Sequence, residues 1–134
     1  MSDMNEMQKM IVQFQMLEAN LKALQERAAM LNGRLEEIQS TKMAIEDLEK
    51  VKPSKALIPL GSGNFIPGTI ESTKEVMIGV GGGIAVKKKR EEALVLLDTR
   101  FKEIEKELVD ATNQSTKIAL QMERIQEQVE RMQK

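Results

Sequence analysis

Along the first third of the chain, apolar residues recur at alternating spacings of three and four. One row runs through Met10, Leu17, Leu24, Leu31, Ile38 and Ile45, and a second through Met7, Phe14, Leu21, Ala28 and Leu35 until Lys42 breaks it. These are the d and a rows of a heptad repeat sustained for about six heptads, longer than a globule's surface helix requires. No proline interrupts the stretch, and Gly33 is its one helix weakener, costing about 1 kcal/mol relative to Ala. The last third repeats the pattern: Leu94, Phe101, Leu108, Ser115, Met122 and Val129 in one row, Leu97, Ile104, Ala111, Ile118, Ile125 and Met132 in the other. Each arm covers roughly 43 residues, a helix of about 65 Å. A lone helix of this kind leaves its stripe in water, so the two arms are expected to pair.

If the arms run antiparallel within one chain, the a row of one meets the d row of the other. Met10 then faces Val129, Phe14 Ile125, Leu17 Met122, Leu21 Ile118, Leu31 Leu108, Leu35 Ile104, Ile38 Phe101 and Ile45 Leu94. The same register joins the small pair Ala28 and Ala111 and sets Glu49 opposite Arg90. A shift of one heptad strands apolar residues at an end. Of the seam positions from Met7 to Met132, only Lys42 and Ser115 are polar, so burial of this seam is the expected main source of stability.

The middle third changes character at Val51-Lys52-Pro53-Ser54, where Pro53 is expected to end the first helix. Four short runs rich in β-formers follow: Ala56–Leu60, Phe65–Ile70, Val76–Val80 and Ile84–Val86. Gly61-Ser62-Gly63-Asn64 separates the first two and Gly81-Gly82-Gly83 the last two, both strong hairpin-turn signals. Pro59 and Pro67 cannot donate ladder bonds and belong at an edge or bulge. The expected fold is α+β: a long antiparallel α-helical coiled coil with two central β-hairpins. Its segments are an N-terminal coiled-coil helix over 1–52, a hairpin head over 53–89 and a C-terminal coiled-coil helix over 90–134. Two hairpins of this size cannot bury both faces alone, so the head asks for a partner sheet.

Composition supports long helices: charged residues make up 31% and aromatics 2% of the 134 residues, and Cys and His are absent. Thiol and imidazole catalysis and Cys/His zinc sites are thereby excluded. The acidic pairs Glu36-Glu37 and Glu91-Glu92 point about 100° apart on their helices and do not converge on one proton or metal. Neither glycine run completes a dinucleotide fingerprint or a P-loop. No catalytic residue, cofactor or metal is expected, and the chain reads as a non-enzyme. A polar, acidic start without a signal pattern, no apolar run of about 18 residues and no cysteine together point to a soluble cytoplasmic protein.

Charge is uneven. Residues 1–50 carry 6 basic and 9 acidic groups, residues 51–90 carry 7 and 2, and residues 91–134 carry 7 and 10. The densest basic run, Lys87-Lys88-Lys89-Arg90, has no interleaved aromatic residue to stack on bases. It reads as a solvated strand end, so neither nucleic acid nor membrane is an expected partner.

The segments Ala56-Leu57-Ile58-Pro59-Leu60-Gly61-Ser62-Gly63-Asn64-Phe65-Ile66-Pro67-Gly68 and Glu75-Val76-Met77-Ile78-Gly79-Val80-Gly81-Gly82-Gly83-Ile84-Ala85-Val86 carry a family resemblance. It continues through Lys87-Lys88 and the Glu91-Glu92-Ala93 opening of the second helix. They resemble the prefoldin family, specifically the alpha class as found in archaea. Two hairpins rather than one separate that class from the beta class. The resemblance implies an ATP-independent chaperone, a hexamer of two alpha and four beta subunits joined through their hairpins into an oligomeric β-barrel platform. It further implies coiled-coil ends that hold non-native client proteins and deliver them to a group II chaperonin.

The register brings both chain ends together, and there the sequence is rich in methionine. The expected client-binding tip comprises Met1, Met4, Met7, Met10, Ile11, Val12, Val129 and Met132. Flexible, polarizable side chains suit a surface that adapts to many partners. The expected oligomerisation head comprises Leu57, Ile58, Leu60, Phe65, Ile66, Ile70, Val76, Ile78, Val80, Ile84 and Val86. The rival reading is a structural or tethering coiled-coil protein without chaperone activity, whose head merely dimerises.

Overall fold

The computed structural model describes residues 2–133. Helix α1 (Ser2–Asp47) is followed by a 3-10 turn (Leu48–Lys50). Strands β1 (Lys55–Gly61), β2 (Asn64–Thr69), β3 (Glu75–Gly81) and β4 (Ile84–Lys89) lead into helix α2 (Arg90–Gln133). The chain divides into two compact units, Met1–Leu35 with Glu103–Lys134, and Glu36–Lys102.

In the first unit α1 and α2 lie antiparallel. Arg27 comes within 3.7 Å of Glu107, and Phe14 and Ile125 line the same groove. Every expected seam residue from Met7 to Leu35 and from Ile104 to Met132 is buried or half-buried, and every other described residue of this unit is exposed. Leu31, Ala111 and Ile125 are the most enclosed, at 3%, 4% and 8% exposure. A fully buried aliphatic side chain contributes about 1.5–3 kcal/mol; most seam residues are half-buried and fall toward the lower end.

In the second unit the helical stretches are again antiparallel, with Glu49 and Arg90 4.0 Å apart, the pair expected from the register. The α-helix closes at Asp47, and the 3-10 turn gives way to extended backbone at Val51 (φ −97°, ψ 130°). Helical structure thus stops short of Pro53, consistent with the bias of residues just before proline toward extended backbone.

Each hairpin is a separate two-stranded antiparallel sheet. Both turns have two central residues at positive φ, Ser62 (52°) with Gly63 (79°) and Gly82 (61°) with Gly83 (75°). That is the signature of the hairpin turn whose twist matches the flanking strands. The register slips just before each turn, between Pro59 and Gly61 and between Gly79 and Gly81, with Gly61 and Gly81 also at positive φ. These bulges account for the glycine runs as backbone devices. Pro59 borders one of them, as its missing donor requires.

The core of this unit is small: Ile45 from α1, Ile78 from β3, and Ala93 and Leu97 from α2, with Ile38, Val76, Leu94 and Leu96 packed around it. Arg90 ties the entry of β3 to the start of α2. Its backbone N–H donates to the Lys74 carbonyl (2.9 Å) and its guanidinium to the Thr73 carbonyl (3.4 Å). Arg100 donates to the Gly79 carbonyl at 3.2 Å, a second link between α2 and β3.

Lys42, which breaks the heptad row, does not leave the seam empty. Its ammonium donates to Asp98 Oδ1 at 2.8 Å, with only 19% of the Lys42 side chain exposed. The Lys42 hydrogen bond and charge, helped by Lys102, hold the Asp98 carboxyl below its ordinary value of 3.8. A carboxyl depressed in the folded state stabilises the fold above its unfolded pKa, and that contribution disappears as pH falls through the folded value. Acid titration of unfolding should therefore show a loss starting near the ordinary carboxylate range, and Asp98→Asn should remove that component while flattening the low-pH slope. An unchanged slope in the variant would show that the pair contributes nothing.

Candidate functional surfaces

The two hairpins differ chemically, and the pairing shows how. In β1–β2, Ile58 opposes Ile66 and Pro59 opposes Phe65. Side chains alternate between faces along a strand. Ile58 and Ile66 therefore share one face, while Leu57 and Phe65 share the other. Both faces are apolar, and both are open: Leu57, Leu60, Phe65, Ile58 and Ile66 are 48–68% exposed. Ile70 lies just beyond β2, half-buried, with its N–H donating to the Ser54 carbonyl at 2.7 Å.

In β3–β4, Ile78 opposes Val86 and Val76 opposes Lys88. Ile78 is buried, and Val76 and Val86 are half-buried, so this face rests on the chain's own helices. The other face carries Glu75, Met77, Lys87 and Lys89, all exposed. The expected head sets Val76 and Ile78 on equal terms with the first hairpin's residues; Ile78 instead belongs to the core of its own chain. Val80 and Ile84, beside the turn, remain exposed. The basic run sits at the end of β4, with Lys89 paired across from Glu75 and Lys87 from Met77.

Of the tip residues, Met1 lies outside the described residues. Met7, Met10, Val129 and Met132 occupy seam positions and are half-buried. Met4 (68%), Ile11 (43%) and Val12 (54%) project outside the seam and are exposed. Ile11 and Phe14 on α1 and Ile125 and Val129 on α2 line a groove of about 460 Å³ together with Gln15, Glu18, Gln126 and Glu130. The set thus has two parts: Met7, Met10, Val129 and Met132 zip the helix ends, and Met4, Ile11 and Val12 stand exposed outside the seam, with Ile11 lining the groove. Met16, Met30 and Met43 on α1 and Leu120 on α2 are exposed as well and lie outside the expected tip. The signal for Met16 and Met30 was present as a second spacing of three and four outside the seam.

No helix among the described residues is long and apolar enough to cross a membrane.

Comparison with known proteins agrees with this architecture. The family described as "Prefoldin subunit" matches residues 17–134. Prefoldin subunit alpha of Pyrococcus horikoshii is 32% identical over 100 residues, 73% of this chain and 68% of that protein. The same subunit of Nitrosopumilus maritimus is 30% identical over 125 residues, 93% of this chain and 86% of that protein. A chain in the cryo-EM structure of filamentous PFD from Methanocaldococcus jannaschii shares the fold, with a TM-score of 0.74 at 17% identity, covering 84% of this chain and 93% of that one. Two long antiparallel helices, two glycine-turned hairpins and these relatives lead to one assignment: the chain belongs to the prefoldin family, as an archaeal-type, alpha-class chaperone subunit.

Proposed function

We propose that this chain is the alpha subunit of a hexamer with four beta-type subunits, in which its hairpins join a common β-barrel platform. The paired helix ends hold non-native proteins without ATP and deliver them to a group II chaperonin in the cytoplasm. The observation that carries assembly is the first hairpin, apolar on both faces and covered on neither. A two-stranded sheet in that state is at best marginally stable in water unless another sheet or a helix packs on it, and here the chain's own helices do not. Client holding is supported by Met4, Ile11 and Val12, exposed near the paired helix ends, with Ile11 lining an apolar groove there.

A patch of this size makes a weak, quickly reversible contact. Several arms on one platform raise retention through effective concentration, with no new contact needed. Release then requires no energy-consuming step.

The test is suppression of aggregation of a guanidine-denatured enzyme by the subunit assembled with a beta-type partner. Removing the first ten residues should abolish most of the suppression, leave the assembly's stoichiometry unchanged and cost no helicity beyond the residues removed. A tethering protein would show no suppression in either form, and that result would overturn the chaperone reading of these surfaces.

A further inference from the structure

Helix α1 carries a second apolar stripe on the side away from its seam. Val12, Met16, Ala19, Ala23, Met30 and Gly33 follow spacings of four, three, four, seven and three, and the gap of seven contains Glu26, the stripe's one charged member. All are exposed; Val12, Met16 and Met30 are 54%, 64% and 58% accessible. The corresponding face of α2 in the same unit is polar apart from Leu120, with Glu103, Lys106, Asp110, Lys117 and Arg124 at equivalent positions. A helix needs only one apolar stripe to pair with one neighbour. The second stripe therefore serves something other than the hairpin fold.

We propose that this outer stripe of α1 binds amphipathic helices of non-native polypeptides, extending the holding surface along the helix from the tip. Spacings of three and four are what a partner helix reads when it lies along another. Ala19, Ala23 and Gly33 permit close approach, while Met16 and Met30 adapt their shape to different side chains. Size selects this occupant over a second copy of the chain. A stripe of about 21 residues is about 32 Å long and about 10 Å wide, or roughly 300 Å². A stable protein pair needs about 800 Å² per partner. The stripe suits a brief contact with an unfinished helix and is too small to hold a dimer. Its first residue, Val12, also belongs to the tip, so the two surfaces are continuous.

This proposal rests on the chaperone reading, and the test separates the two. The probe is a fluorescein-labelled 20-residue peptide with leucines at spacings of three and four, read by anisotropy against the full-length chain assembled with a beta-type subunit. Met16→Glu with Met30→Glu should weaken peptide binding at least tenfold. Val109→Glu with Leu120→Glu, on exposed positions of α2, should change it less than twofold. Both pairs substitute exposed positions with a good helix former, so circular dichroism should be unchanged. Equal binding by the Met16/Met30 variant, or no binding by the parent, overturns the stripe. A change in assembly mass in that variant also overturns it, because the occupant is then another subunit. Loss of aggregation suppression on removing the first ten residues, with the stripe variant fully active, leaves the chaperone reading standing without the stripe. Absence of suppression in every form removes both.

Discussion

Replacing Ile78 by Ala is expected to destabilise the unit Glu36–Lys102 by about 2–5 kcal/mol, the usual cost of truncating a buried Ile to Ala. Ile78 is the only strand residue in that unit's buried cluster, 8% exposed and packed against Ile45, Ala93 and Leu97. The cluster is small, so little surrounding structure remains to refill the space. The Arg100 bond to Gly79 and the Arg90 bond to Thr73 should then no longer hold β3 against α2. Hydrogen exchange should show lost protection in β3 and β4, while the pairing of residues 2–35 with 103–133 keeps its protection. Unchanged protection in the second hairpin would mean that it is not anchored through Ile78.

The second large effect concerns assembly. Leu57→Lys with Ile66→Lys places one charge on each face of the first hairpin, since these residues lie on opposite faces. Both positions are exposed in the subunit, at 65% and 48%, so the isolated chain should fold with normal helicity. In the proposed platform both faces are covered by neighbouring sheets, and each ammonium would be buried without a partner, a penalty of several kcal/mol per charge. Native mass spectrometry of the variant co-expressed with a beta-type subunit should find free subunits in place of the hexamer. An intact hexamer would show that the first hairpin does not carry the joint.

Much of this architecture is legible in the sequence because it rests on strict periods. The row from Met7 to Ile45 and the row from Leu94 to Met132 name the seam, and each of those residues is buried or half-buried. The glycines at the turns announce positive φ, and Gly63 and Gly83 adopt it. Two features escape period counting. The partner of Lys42 is Asp98, one position beyond the residue that the register sets opposite it. A four-carbon stem lets an ammonium leave its own layer to find a carboxylate, and no spacing rule encodes that reach. The other feature is the inequality of the hairpins. Val76, Ile78 and Val86 look as apolar as Leu57, Ile58 and Phe65, yet Lys87 and Lys89 on the opposite face allow the second hairpin to lie with one side toward the helices and one toward water. The first hairpin lacks such a polar face. Binary patterning taken hairpin by hairpin separates them, whereas the apolar residues of the four strands taken as one set do not.

The exposed methionines illustrate the same limit. Met7 and Met10 stand both in the seam rows and in the methionine-rich end, and are half-buried, whereas Met16 and Met30 lie outside the seam and stay in water. Composition locates a surface; only position on the helix separates the side chains that close the coiled coil from those left free.

All of these surfaces depend on one polypeptide folding back on itself in a fixed register. The chain has no cysteine, so engineered pairs report without background. Leu17→Cys with Met122→Cys should oxidise to a cross-link within one chain, because the register places those residues face to face. Leu17→Cys with Val129→Cys, one heptad away, should not. Cross-linking of the second pair in place of the first, or links formed only between chains, would contradict the folded-back arrangement.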